Sequence, residues 1–197
     1  MKQKLLAILF AITLCGVGIF AELSKPAPRL TFDESGNYTG FDSIPEHYSV
    51  SRAKRDGCVI NDYNLALDNH SARDPAWRSF VTKSARGENS SIRIMILHSD
   101  KVGGGYSFQD VFFEDGLYCT FHSSSEDQQR MDYGYLMELE GKAGAQELYD
   151  EIEIVITWDE TVTYDDVKSA LFSSTFYGKQ KNYQDIYLTD RTPTERR

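Results

Sequence analysis

The chain predicts an α+β domain: an antiparallel or mixed sheet of about five strands with two helices on one face, preceded by a signal peptide and a tether. Three observations carry that expectation. From Ser91 onward apolar side chains recur at every second residue through several segments. Two other segments place them three and four residues apart behind capping residues. The first 21 residues have the layout of an export signal.

That signal comes first in the chain. Lys2 and Lys4 give a positive start, Leu5 to Leu14 form an uncharged apolar run, and Ala21 closes a small-residue exit before Glu22. The run falls short of the roughly 20 apolar residues that a membrane span needs. Cleavage after Ala21 and a secreted or extracytoplasmic location are the expectation. The alternative is a membrane-anchored product, held by an uncleaved N-terminus or by a lipid on Cys15 within Ile12-Thr13-Leu14-Cys15. Leu14 fits the lipid reading poorly, because a small residue normally precedes such a cysteine.

Residues 22–47 hold Pro26, Pro28, Pro45, Gly36 and Gly40 among many polar side chains, the composition of a tether. The single folded domain is expected over 48–176 and a polar tail over 177–197. A short strand at Cys58 to Asn61 opens the domain. A helix follows over Asp74 to Arg86, with Asp74 as cap, Pro75 in the first turn and Gly87 at the exit. Its inward face is Trp77, Phe80, Val81 and Ala85. In SIRIMILH, Ile92, Ile94, Ile96 and His98 share one face while Arg93, Met95 and Leu97 share the other, the pattern of a central strand. Asp115-Gly116 predicts a tight hairpin in which Glu114 opposes Leu117, Phe112 opposes Cys119 and Gln109 opposes His122. YGYLMELE and EIEIVITW read as half-buried strands with a wet face. A last helix runs from Tyr164 to Ser173 behind Thr163, and QDIYLTD in the tail can add an edge strand.

Lys and Arg number 21 against 30 Asp and Glu, a formal charge of −9 that becomes −11 once Lys2 and Lys4 leave with the signal. This balance argues against nucleic acid as a partner, since phosphate binding needs clustered cations, and against an anionic membrane surface. Without Cys15, Cys58 and Cys119 remain; they form either one disulfide or two buried thiols. Three Asn-x-Ser/Thr triplets start at Asn37, Asn69 and Asn89, a frequency that chance explains in a polar chain.

Two groupings are candidates for function. His98, Asp100 and His122 form the only candidate metal or acid–base site, although strand alternation turns the two imidazoles to opposite faces. Glu138, Glu140, Glu151 and Glu153 are expected on one outer face, where neighbouring like charges repel. Arg93 is the economical compensation, and a cationic partner or calcium the alternative. Arg93, Glu138 and Glu153 therefore mark the candidate binding surface. The chain has no G-x-S-x-G elbow, HExxH helix, P-loop or CxxC pair, and nothing in it calls for a cofactor.

IPEHYSVSRAKRDGCVI, WRSFVTKSARGENSSIRIMIL, VFFEDGLYCTFHSS and MDYGYLMELEG together resemble a family of small exported or lipoprotein domains of unknown function from Gram-positive bacteria. The resemblance covers Pro45 to Ser174, with Leu65 to Arg73 as an insert. It implies fold and export only, and transfers no functional residue. The expected function is a non-enzymatic module of the cell envelope or extracellular space that binds a protein, peptide or envelope component. An exported hydrolase or metal-dependent enzyme using His98, Asp100 and His122 is the alternative.

Overall fold

A two-residue turn at Asp115-Gly116 sets the frame. Both residues take the left-handed conformation, with φ of 53° and 86°, as a tight hairpin between twisted strands requires. The turn joins β3 (Tyr106–Glu114) to β4 (Leu117–His122) in the expected register, with Phe112 opposite Cys119 and Gln109 opposite His122. β2 (Ser90–Leu97) lies antiparallel to β3 on its other side, and β1 (Val59–Asp62) pairs parallel with the second half of β2. The result is a four-stranded mixed sheet of order β1-β2-β3-β4. In this computed structural model the described residues are 27–65, 69–144, 149–172 and 182–194. The segment expected to direct export, Cys15 included, lies outside them.

The expected single sheet is two. β5 (Tyr135–Ala143), β6 (Tyr149–Thr157) and β7 (Tyr183–Pro193) form a separate antiparallel sheet of order β5-β6-β7. Strands that are apolar on both faces need a covering layer on each side, and one flat sheet cannot supply it. Ile92, Ile94, Ile96, Val111 and Phe113 of the first sheet pack against Ile154, Ile156, Ile186 and Leu188 of the second. Trp77 and Phe80 from α2 (Pro75–Ala85) complete that core. α2 is capped as expected, with the Asp74 side chain accepting from the Ala76 N–H. Residues 183–193, assigned above to a polar tail, thus supply an edge strand whose Ile186 and Leu188 are buried.

The two helices do not share a face. α3 (Tyr164–Phe172) covers the far side of the second sheet, where Tyr164 and Val167 meet Leu139, Val155 and Tyr183. Thr163 and Asp166 cap it reciprocally, the Thr163 N–H donating to Asp166 Oδ2 at 3.0 Å and the Asp166 N–H to Thr163 Oγ1 at 3.3 Å. A further short helix, α1 (Val50–Arg55), follows Ser49, whose hydroxyl accepts from the Arg52 N–H.

The outer face of the first sheet, expected to be open to water, is covered as well. Residues 27–47, read above as part of a tether, cross it as a strap. Tyr38 is 4% exposed and stacks on Phe121 with ring centroids 4.1 Å apart. Tyr48 and Ala53 pack on Met95, Phe108 and Cys58. Proline, glycine and polar side chains hid this role, because what anchors the strap is polar. Arg93 and Asp110 stand directly opposite each other on β2 and β3. Arg93 Nε and Nη2 donate to Asp110 Oδ1 and Oδ2 at 2.7 and 2.6 Å, while the Tyr38 hydroxyl donates to Oδ2 at 2.6 Å. Arg93 Nη2 also donates to the Gly40 carbonyl at 2.9 Å. A Cβ on Gly40 would lie 1.9 Å from the Tyr38 hydroxyl, so only glycine lets the strap pass this point.

Cys58 and Cys119 are free and buried. They occupy separate clusters at opposite edges of the first sheet. Three strand spacings of about 4.8 Å put them roughly 14 Å apart, twice the Cα separation a disulfide tolerates. Burial raises both thiols, Cys119 to about 12.

Asp110→Ala leaves Arg93 in the interior without its carboxylate, and in urea unfolding it is expected to cost about 3 to 5 kcal/mol. Tyr38→Phe is expected to cost about 1.5 to 3 kcal/mol. A loss below about 1 kcal/mol for Asp110→Ala, the range of an exposed pair, would mean that the ion pair does not hold the strap.

Candidate functional site

Arg93, Glu138 and Glu153 do not form one surface. Arg93 lies under the strap with Asp110. In the β5–β6 register Glu138 opposes Ile154 and Glu140 opposes Ile152, whereas Glu151 opposes Gly141 and Glu153 opposes Leu139. Opposite residues share a face, so the four glutamates divide between the two sides of the second sheet. Glu138 pairs at the margin of the isoleucine face with Arg78 of α2, at 2.5 Å. Glu151 and Glu153 lie under α3, bridged by Lys168, whose Nζ is 2.6 Å from Glu151 Oε2 and also contacts Glu153. Glu151 is buried; it accepts from the Tyr164 hydroxyl at 2.7 Å and from Arg191 Nε. The repulsion expected between these carboxylates is therefore offset from within the fold, by Lys168 and Arg191 and not by Arg93.

His98 and His122 face the same way, contrary to the alternation argument. Gln109, opposite His122, points to the second sheet: its Nε2 donates to the Asp185 carbonyl and its Oε1 accepts from the Tyr187 N–H, each at 2.8 Å. His122 accordingly packs on the Tyr187 ring, and its pKa is lowered by burial and then by the nearby His98. Its Nδ1 lies 2.7 Å from the Ser124 hydroxyl and its Nε2 3.3 Å from that of Ser107. Asp100 opens a short turn capped by the Ser99 side chain. Among the described residues no three His, Cys, Asp or Glu side chains are grouped to hold a metal ion.

A cluster that sequence reasoning missed joins residues about 120 positions apart. His70 Nδ1 lies 2.6 Å from Asp190 Oδ1, and Arg73 Nε 2.5 Å from Asp190 Oδ2. Asp190 is nearly fully buried, and a carboxylate so close holds the ring proton on Nδ1. The neighbouring Ser71 hydroxyl is engaged by the Thr189 backbone and by Asn61 and is not free to act as a nucleophile beside the imidazole. Asn69, one of the three triplet asparagines, is buried and donates to Asn61 and to the Asp62 carbonyl, which leaves no room for a glycan.

Among the described residues the β1 edge of the first sheet carries no further strand. The His98 N–H donates to the Gly105 carbonyl. Alternation along β2 then turns the peptide groups of Ile92, Ile94 and Ile96 to β3, and those of Ser91, Arg93, Met95 and Leu97 to the β1 side. Met95 therefore pairs with Val59 and Asn61, and Cys58, Ile60 and Asp62 are turned away from the sheet. Two bonds agree with this assignment. The Cys58 N–H donates to Ala53 of α1, and the Asp62 carbonyl accepts from the Asn69 side chain. Between them the Cys58 carbonyl, both Ile60 peptide groups and the Asp62 N–H have no strand beside them among the described residues. β1 also stops opposite Ile94, so among the described residues the Ser91 peptide groups have no strand on that side either.

This edge is recessed. A groove of about 710 Å³ follows Cys58, Ile60 and Asp62, walled by Val50 and Lys54 of α1 and by Arg73 to Ala76. A second groove of about 980 Å³ runs beside Ser90 to Arg93, between the strap and α2. Both are lined by Gly57, Cys58 and Ala76, so they meet at the start of β1. No family model, no curated protein and no solved structure matches the chain.

Burial acts to raise the Glu151 carboxyl, but hydrogen bonds from Lys168, Tyr164 and Arg191 outweigh it and hold the group below its ordinary value. The folded value is then lower than the unfolded one. The stabilisation is complete above the ordinary glutamate pKa of about 4.3 and is lost as pH falls through the folded value. Stability from urea unfolding is expected to fall more steeply on acidification in the wild-type protein than in Glu151→Gln; parallel profiles would contradict this.

Proposed function

We propose that the protein is an exported, non-enzymatic binding module that takes an extended peptide segment as an added strand on the open edge of β1. The observation that carries this reading is the run of unpaired peptide groups from the Cys58 carbonyl to the Asp62 N–H, set inside a groove. Strand addition draws affinity from main-chain hydrogen bonds and specificity from pockets that take alternate side chains. Val50, Ile60, Leu65 and Leu97 supply the apolar lining for such pockets. Exposed edges are normally blocked because they invite sheet-to-sheet association. Here Val50 and Lys54 of α1 on one side and Arg73 to Ala76 on the other wall the edge, which obstructs the approach of a second sheet. Export rests on the pattern of the first 21 residues. The metal-enzyme alternative has less support because serine hydroxyls lie against both ring nitrogens of His122, and the hydrolase alternative because the ring nitrogen opposite Ser124 meets Ser107 and not an orienting carboxylate.

The test uses a replacement that the native ladder tolerates. Ile60→Pro removes an N–H that β2 does not use, and proline is accepted at edge positions. Panning a random peptide library on the intact protein is expected to enrich extended sequences that lose binding to Ile60→Pro while the variant keeps a cooperative unfolding transition. If that variant does not fold, N-methylation of an enriched peptide at alternate residues reads the same bonds. No enrichment, or binding indifferent to both changes, overturns the reading.

A further inference from the structure

We infer that the segment bound at this edge carries one or two carboxylates where it passes Ser90 to Arg93; this rests on the strand-addition reading and adds the chemistry of the partner. The chain is acidic overall, yet the lining of the larger groove reverses that balance, with Arg29, Arg52, Lys83 and Arg93 against Asp42 and Asp56. Not all four cations are free. Arg93 is spent on Asp110 and Gly40, and Arg52 lies 3.5 Å from Asp56. Arg29 and Lys83 are exposed and pair with no carboxylate among the described residues. They come from opposite walls, Arg29 from the strap and Lys83 from α2.

A carboxylate on a segment lying between these two walls supplies the partner that Arg29 and Lys83 lack among the described residues. The overall acidity, −9 for the chain and −11 without Lys2 and Lys4, limits the charge of the ligand, because the net field of the protein repels a polyanion. A mostly apolar, extended peptide with one or two Asp or Glu residues satisfies the edge, the groove and the overall field together.

Library panning with sequencing separates this inference from the reading beneath it. Ile60-dependent peptides selected on the wild-type protein are expected to be enriched in Asp or Glu at one or two alternate positions. The exposed double replacement Arg29→Glu and Lys83→Glu is expected to bind those peptides about tenfold more weakly, and to select Lys or Arg at the same positions. Ile60-dependent peptides without acidic bias, or acidic peptides indifferent to the double replacement, overturn the inference while leaving strand addition in place. Absence of any Ile60-dependent peptide overturns both.

Discussion

A guanidinium and a carboxylate facing each other in the middle of a sheet, Arg93 on β2 and Asp110 on β3, decide how this molecule is closed. Neither charge can be left in a dry interior with its remaining hydrogen-bonding capacity unmet. Tyr38 supplies the extra donor to Asp110, and the Gly40 carbonyl takes a further Arg93 donor. Both belong to the strap. Satisfying the pair therefore brings residues 27–47 across the outer face, where Tyr38 then stacks among Phe112 and Phe121. With the strap on one side and the second sheet on the other, the first sheet has no open face. Among the described residues a partner's backbone can then reach this sheet only at its edges, and the β1 edge is set in a groove.

The second sheet follows the same logic with different residues. Glu151 is buried under α3 with Tyr164, Lys168 and Arg191, which come from the helix and from the opposite position on β7. Each sheet thus carries an ionic cluster on its outer side that only one arrangement of distant segments completes. Such clusters contribute less net stability than apolar packing of the same volume would, but they penalise misalignment severely. A one-residue slip of β2 on β3 would move Arg93 away from Asp110 and turn it toward the isoleucine core. The clusters act as register pins between layers that apolar packing alone would let slide.

Local order was largely legible in the residues. The Asp115-Gly116 turn fixed the hairpin register because its two positive φ angles allow one alignment. α2 was readable because Asp74, Pro75 and Gly87 bracket a three- and four-residue spacing. The failures lie where a residue's environment is set by a segment far away in the chain. The strap looks like a tether because Tyr38 is its one fully buried residue, and the partner that buries it is 72 positions downstream. Alternation within β6 correctly grouped Glu151 with Glu153, but nothing local tells which residues of β5 stand opposite, so Glu138 was assigned to the wrong face. The His70–Asp190 contact has no local signature at all. The open edge depends on β1 pairing in parallel with only half of β2, a consequence of topology that periodicity does not encode.

The central claim is that the peptide groups of Ile60 point away from the sheet and have no strand partner in the isolated protein. Amide hydrogen exchange resolved by NMR tests it directly. The account predicts that the Ile60 amide exchanges far faster than its ladder-bound neighbour Asn61, although both belong to the same short strand. Equal, strong protection of the two amides would mean that the edge is already paired, and would contradict the account.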